Sequence, residues 1–271
     1  MSPEKLFSQM QAKRSCLCVG LDTDPARIPA HLQKEKDPVF AFNRAIIEAT
    51  ADLAVAYKPN LAFYEAQGPK GWESLQKTLE VIPEEIFTLA DAKRGDIGNT
   101  SRQYARAFFE QMNFDAVTVA PYMGADSVVP FLEFAGKWVF LLALTSNPSA
   151  RDFQYMQEDE QTLYEKVLLT AQEWAQDQPG HLGFVVGATK AEAMQHIREL
   201  APNSFLLVPG IGAQGGDLEA VCKHGKTELG GLLINSSRSI IYASQGEDFA
   251  EAARSSAQKL QKEMDFYLFS D

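Results

Sequence analysis

Pro209-Gly210-Ile211-Gly212-Ala213-Gln214-Gly215-Gly216-Asp217 is the stretch on which the fold turns. It follows a short apolar run and holds a literal G-x-G-x-x-G at Gly210, Gly212 and Gly215. Taken alone, that pattern suggests a dinucleotide-binding turn. The dinucleotide fingerprint also wants an acidic side chain on the ribose about 20 residues further on. Asn235-Ser236 stands there instead. The second reading is a barrel phosphate site, built by the loops after a seventh and an eighth strand with a helix N-terminus. Glycines let backbone N–H groups approach phosphate, Gln214 adds a side-chain donor, and Arg238 in Ser236-Ser237-Arg238-Ser239 offers a planar fork. Gly225-Lys226-Thr227 imitates the end of a P-loop, but the required upstream glycine is Ala220, so it is set aside.

Working outward from this loop, short apolar runs recur at 17–21, 53–57, 86–90, 116–120, 138–144, 183–186, 205–208 and 231–234. Most are continuously apolar, as parallel strands buried on both faces are. Helical periodicity fills the gaps, most clearly at 40–52 and 101–111. Strand and helix alternating in this way predict an α/β chain of the (β/α)8 TIM barrel type, with a doubly wound open sheet as the alternative. No linker interrupts the composition, so residues 1–271 are expected to form one barrel domain. The polar stretch 151–161, centred on Glu158-Asp159-Glu160, reads as a long solvated loop.

Composition narrows the function. The formal charge of -11 argues against nucleic acid and anionic membranes as partners, while leaving room for one buried cationic pocket. No apolar run spans a membrane, and no secretory segment is expected from the N-terminus. Cys16, Cys18 and Cys222 read as buried, reduced thiols, which points to a cytoplasmic protein. His31, His181, His196 and His224 lack metal-ligand spacing, so no metal site is expected.

Chemistry-bearing residues cluster where the strands end, at the mouth where barrel active sites sit. Asp22 follows the first run, Lys58 the second, Asp91 and Lys93 the third, Ser146-Asn147-Pro148 the fifth, and Arg238 the eighth. In Asp91-Ala92-Lys93-Arg94-Gly95-Asp96, Asp91 and Lys93 are two apart, so at the end of an extended strand both point into the mouth. Lys58, Asp91, Lys93 and Asp96 together are formally neutral, which is what makes an enclosed charged cluster affordable. Carboxylates on either side of Lys93 favour its ammonium form and suit it to give a proton to a carbanion. A purely structural ring of ion pairs has the same spacing.

At this point the chain resembles the orotidine 5′-phosphate decarboxylase family, specifically its longer subgroup. The matching segments are Gly20-Leu21-Asp22, Lys58-Pro59-Asn60, Asp91-Ala92-Lys93-Arg94-Gly95-Asp96-Ile97-Gly98-Asn99-Thr100, Leu144-Thr145-Ser146-Asn147-Pro148, Val186-Gly187-Ala188-Thr189, the glycine-rich stretch 209–217, and Ser237-Arg238-Ser239-Ile240. They run in family order along almost the whole chain. The resemblance implies cofactor-independent decarboxylation of orotidine 5′-monophosphate to UMP. It makes Lys93, Asp91, Lys58 and Asp96 the catalytic array, with Asp22 on the ribose hydroxyls, Ser146 on the pyrimidine amide, and Gln214 and Arg238 on the phosphate. It also implies a homodimer in which Asp96 and Thr100 serve the neighbouring subunit's site. Two positions depart from the commoner subgroup, which has proline where Gly98 stands and glycine where Ser237 stands. A related magnesium-dependent sugar-phosphate decarboxylase and a non-catalytic UMP-binding barrel are the competing readings.

Overall fold

Runs of apolar residues buried on both faces set the strands, and the breaks between them set the helices. The computed structural model describes residues 1–187, 191–211 and 217–270, with the backbone alone at 191 and 192. The barrel strands are β1 (Leu17–Leu21), β2 (Ala56–Pro59), β3 (Phe87–Arg94), β4 (Ala116–Val119), β5 (Trp138–Leu144), β6 (His181–Val186), β7 (Phe205–Pro209) and β8 (Leu232–Ser236). All pair in parallel and close in the order β1-β8-β7-β6-β5-β4-β3-β2. An open doubly wound sheet is thereby excluded. The helix Pro3–Lys13 precedes β1 and buries Leu6 and Met10. Among the described residues no helix is long and apolar enough to cross a membrane.

Four expectations need correction. The run 53–57 is not one strand: Leu53 and Ala54 still bond back to the Thr50 carbonyl at the end of the helix Pro38–Thr50, and β2 begins at Ala56. That apolar run is buried because the helix-to-strand turn is buried too. Strand β3 runs on to Arg94, so Asp91 and Lys93 lie within it rather than beyond it. The polar stretch is not a plain loop. It contains the end of a 3-10 turn (Pro148–Asp152) and a two-stranded hairpin pairing Gln157–Glu158 with Gln161–Thr162. Likewise the helix expected at 101–111 starts at Gly98 and widens into a π turn over Ala107–Gln111.

The starts of the strands carry the apolar floor and their ends carry charge. Trp138, 1% exposed, meets Phe87 edge-on at 5.8 Å, stacks on Phe140 at 6.0 Å and meets Phe205 edge-on at 5.1 Å. Gly183 on β6 pairs with Phe140, and a Cβ there would lie 2.7 Å from the Phe140 ring and 2.8 Å from the Phe205 carbonyl oxygen. Glycine at 183 is therefore what lets the ring enter the barrel. Gly183→Ala should destabilise the fold by about 1–3 kcal/mol through overpacking, measured by denaturant titration against the wild type.

Candidate active site

The β3–β4 pairing slips at the mouth. Ala90 pairs with Val117 and Arg94 with Val119, so four steps on β3 are matched to two on β4. The surplus residues bulge, and within the bulge Lys93 adopts φ +47°, a left-handed conformation that costs a non-glycine residue about 1 kcal/mol. The alternation expected of an extended strand does not hold here. Asp91 turns into the barrel with its side chain 11% exposed, while the Lys93 side chain is 51% exposed.

Asp91 is the hub. Its Oδ2 accepts from the Lys58 ammonium at 2.8 Å, and its Oδ1 accepts from the Lys93 ammonium and, at 3.2 Å, from the Thr118 hydroxyl. The Lys58 ammonium also lies 4.0 Å from Asp22 Oδ1. The chain thus brings together a neutral group of Lys58, Lys93, Asp91 and Asp22, of which Lys93 stays half exposed. Burial raises the Asp91 carboxyl, but the two lysines outweigh it and hold the group well below the usual carboxylate range. Burial likewise works against the Lys58 ammonium, and the Asp91 and Asp22 carboxylates outweigh it and hold Lys58 above its ordinary value. Cys18, fully buried beside these charges, is pushed up to about 12, chiefly by burial, and stays a neutral thiol. All three cysteines are free and buried.

Asp96 does not join this group within the chain. Its Oδ1 accepts the Ile97 N–H at 2.8 Å, and its backbone carbonyl accepts from Ser101. Thr100 lies exposed on the helix Gly98–Arg106. Asp22 stands at the mouth after β1, and its Oδ1 is buried without a hydrogen-bond partner. The Asp22 carbonyl accepts from Tyr242, whose hydroxyl also accepts the Asp24 N–H, so this turn is anchored. Arg238 is exposed at the start of the short helix Arg238–Ile241 and makes no ion pair with a described residue. Gln214, with Gly212 and Gly215, lies outside the described residues.

A cavity of about 240 Å³ lies over these groups. Lys58, Asp91, Lys93 and Thr118 form its charged end, Leu142, Val185 and Leu207 an apolar wall, and Thr145, Ser146 and Asn147 a polar end. Gln154 fixes that polar end by accepting the Thr145 N–H and donating to the Thr145 hydroxyl, both at 2.8 Å. Gly187 lets Ser146 approach, since a Cβ at 187 would lie 2.8 Å from the Ser146 nitrogen. A larger cavity, about 450 Å³, opens at the opposite end of the barrel, where Thr88 and the Met1 ammonium already engage the Asp115 carboxylate. Among the described residues no three His, Cys, Asp or Glu side chains are grouped to hold a metal.

Thr118 and Gln154 escaped the sequence reading. Thr118 had a faint signal: it is the one hydroxyl in the apolar run Ala-Val-Thr-Val. Gln154 had none, because it sits in a polar stretch and acts through one turn of backbone.

A profile of the orotidine 5′-phosphate decarboxylase / HUMPS family matches residues 15–254. The chain belongs to this family. It is 58% identical to the orotidine 5′-phosphate decarboxylase of Phocaeicola vulgatus over 98% of both chains, and 60% identical to that of Flavobacterium johnsoniae over 97% of both. Among solved structures, Leishmania donovani OMP decarboxylase superposes with a TM-score of 0.84 at 35% identity, covering 100% of both chains. Membership of this family accounts for the barrel.

The charge pair gives a pH test. A carboxyl depressed in the folded state contributes its stability in full above its unfolded value, near ~3.9, and loses it as pH falls below that toward the folded value. The raised Lys58 behaves oppositely, its contribution being full below the unfolded lysine value and lost only as strong alkali titrates it. The stability of wild type minus that of Asp91→Asn should be level from about pH 5 to 8 and shrink below about pH 4. Denaturant titrations across this range check it; a difference that grows in acid contradicts the assignment.

Proposed function

We propose that this chain is a carbon–carbon lyase that converts orotidine 5′-monophosphate to UMP and CO2, the last step of de novo pyrimidine synthesis, in the cytoplasm. The observation that carries this reading is the Lys58–Asp91–Lys93 array at one end of a cavity whose other walls are apolar and amide-reading, in a chain of this family. Relatives bearing one name over nearly their full length favour it over a magnesium-dependent sugar-phosphate decarboxylase or a non-catalytic UMP binder.

Breaking the bond between C6 and the carboxylate leaves an electron pair in the ring plane, where the ring cannot delocalise it. A fixed ammonium beside C6 stabilises that charge as it forms, and it then supplies the proton that makes UMP. Lys93 takes this role. Asp91, facing the departing carboxylate, disfavours the bound ground state, and Lys58 holds Asp91 in place. Asp22 Oδ1, buried without a hydrogen-bond partner, suits a ribose hydroxyl. Leu142, Val185 and Leu207 give the pyrimidine a flat apolar wall, with Ser146 at its amide edge. Arg238 and Gln214 take the phosphate, so that binding energy remote from C6 supports the chemistry. Lys93→Ala should lower turnover by at least about 10³-fold, since each 1.36 kcal/mol of lost transition-state stabilisation is about tenfold. The ultraviolet absorbance of orotidine monophosphate follows it, and near-normal turnover would refute the donor role.

Asp96 and Thr100 complete the site of a second copy. Ile97 (55% exposed), Tyr122 (91%) and Met123 (44%) leave an apolar surface at this edge of the mouth, with Met123 packed near Gly95. Such a patch beside an active site marks a protein interface. Mixing inactive Lys93→Ala and Asp96→Ala proteins should restore activity to about a quarter of the sites, because half the dimers are mixed and each has one intact site. If each site is built from one chain, no activity returns.

A further inference from the structure

In the bulge that carries Lys93, a single side chain of the neighbouring strand receives the N–H groups of Ala92 and Lys93. Thr118, 1% exposed on β4, lies between Val117 and Val119, which pair with Ala90 and Arg94 on either side of the bulge. Its Oγ1 accepts the N–H of Ala92 at 3.0 Å and the N–H of Lys93 at 2.8 Å, and it donates to Asp91 Oδ1 at 3.2 Å. A threonine hydroxyl has one proton and two lone pairs, and here all three are used.

We infer that Thr118 is a positioning residue for the decarboxylation, fixing the left-handed backbone at Lys93 and the rotation of the Asp91 carboxylate through one hydroxyl. The inference rests on the roles of Lys93 and Asp91 given above. Two bonds to consecutive N–H groups define the direction of the peptide, and the third ties the carboxylate to the same point. The Lys93 ammonium and its counter-ion are thereby located relative to one atom of a strand whose backbone is itself paired on both sides. This matters because the Lys93 side chain is half open to solvent and has little packing to hold it. Among the described residues the Thr118 hydroxyl bonds to Asp91, Ala92 and Lys93 and not to Asp22 or Arg238, so its loss should act on turnover and leave binding nearly intact.

Thr118→Val keeps the shape and removes the hydroxyl. Steady-state kinetics with orotidine monophosphate should show kcat reduced about 10- to 100-fold, the scale expected when a reacting group is displaced by about 1 Å, with KM within about threefold of wild type. Thr118→Ser keeps the hydroxyl and loses only the methyl that stiffens χ1, and should recover kcat to within about threefold. Thermal unfolding is recorded for each protein, and if the valine variant does not fold, Thr118→Ala is measured against the same expectations. A valine or alanine enzyme with wild-type kcat, a loss confined to KM, or a serine enzyme as slow as the valine one would overturn the inference. Lys93→Ala, assayed alongside, separates the failures: a Lys93→Ala enzyme at wild-type turnover removes the site reading itself, whereas an inactive one beside a fully active Thr118→Val removes only the role of Thr118.

Discussion

One carboxylate between two ammonium groups organises the mouth of this barrel. Asp91 is the shared acceptor of Lys58 and Lys93, and the burial of Lys58 is tolerable only because Asp91 meets it at 2.8 Å with Asp22 behind. A buried pair of this kind contributes little net stability against an apolar replacement, yet removing one member leaves an uncompensated charge. The sequence spacing suggested a lysine held between two acids. Within one chain the arrangement is the reverse, an acid held between two lysines, and it is the carboxylate that is immobilised. The exposed Lys93 keeps an open side toward which a second acid can be brought.

The barrel divides its labour along its axis. At the strand starts, Phe87, Trp138, Phe140 and Phe205 interlock and supply cohesion. At the strand ends, charge, a left-handed lysine and unsatisfied acceptors accumulate, each costing stability. The floor offsets these costs at a distance of a few residues along the same strands, so that β3 and β5 each begin in the core and end in the site.

Much of this was legible beforehand, for identifiable reasons. Parallel strands buried on both faces leave continuous apolar runs, and eight such runs with helices between them name the architecture. The same logic misplaced β2, because a buried turn is as apolar as a buried strand. Lys58, Asp91, Asp22 and Ser146 were readable as polar residues where apolar runs stop. The bulge at Lys93 was not, since lysine carries no preference for left-handed backbone, and the conformation is imposed by the neighbouring strand. Thr118 was hidden for the related reason that a threonine among valines looks like any β-former. Asp96 could be assigned only through the resemblance, because within this chain its carboxylate accepts the Ile97 N–H and does not join the Asp91 group.

The barrel closes where β1 meets β8, and the fit there is mutual. Ser237 donates its hydroxyl to the Gly20 carbonyl at 3.1 Å, and a Cβ on Gly20 would lie 2.5 Å from that hydroxyl. The seam has room for one side chain, not two. Residues 217 positions apart therefore share one space: while serine fills it from the later position, the earlier one must do without a side chain.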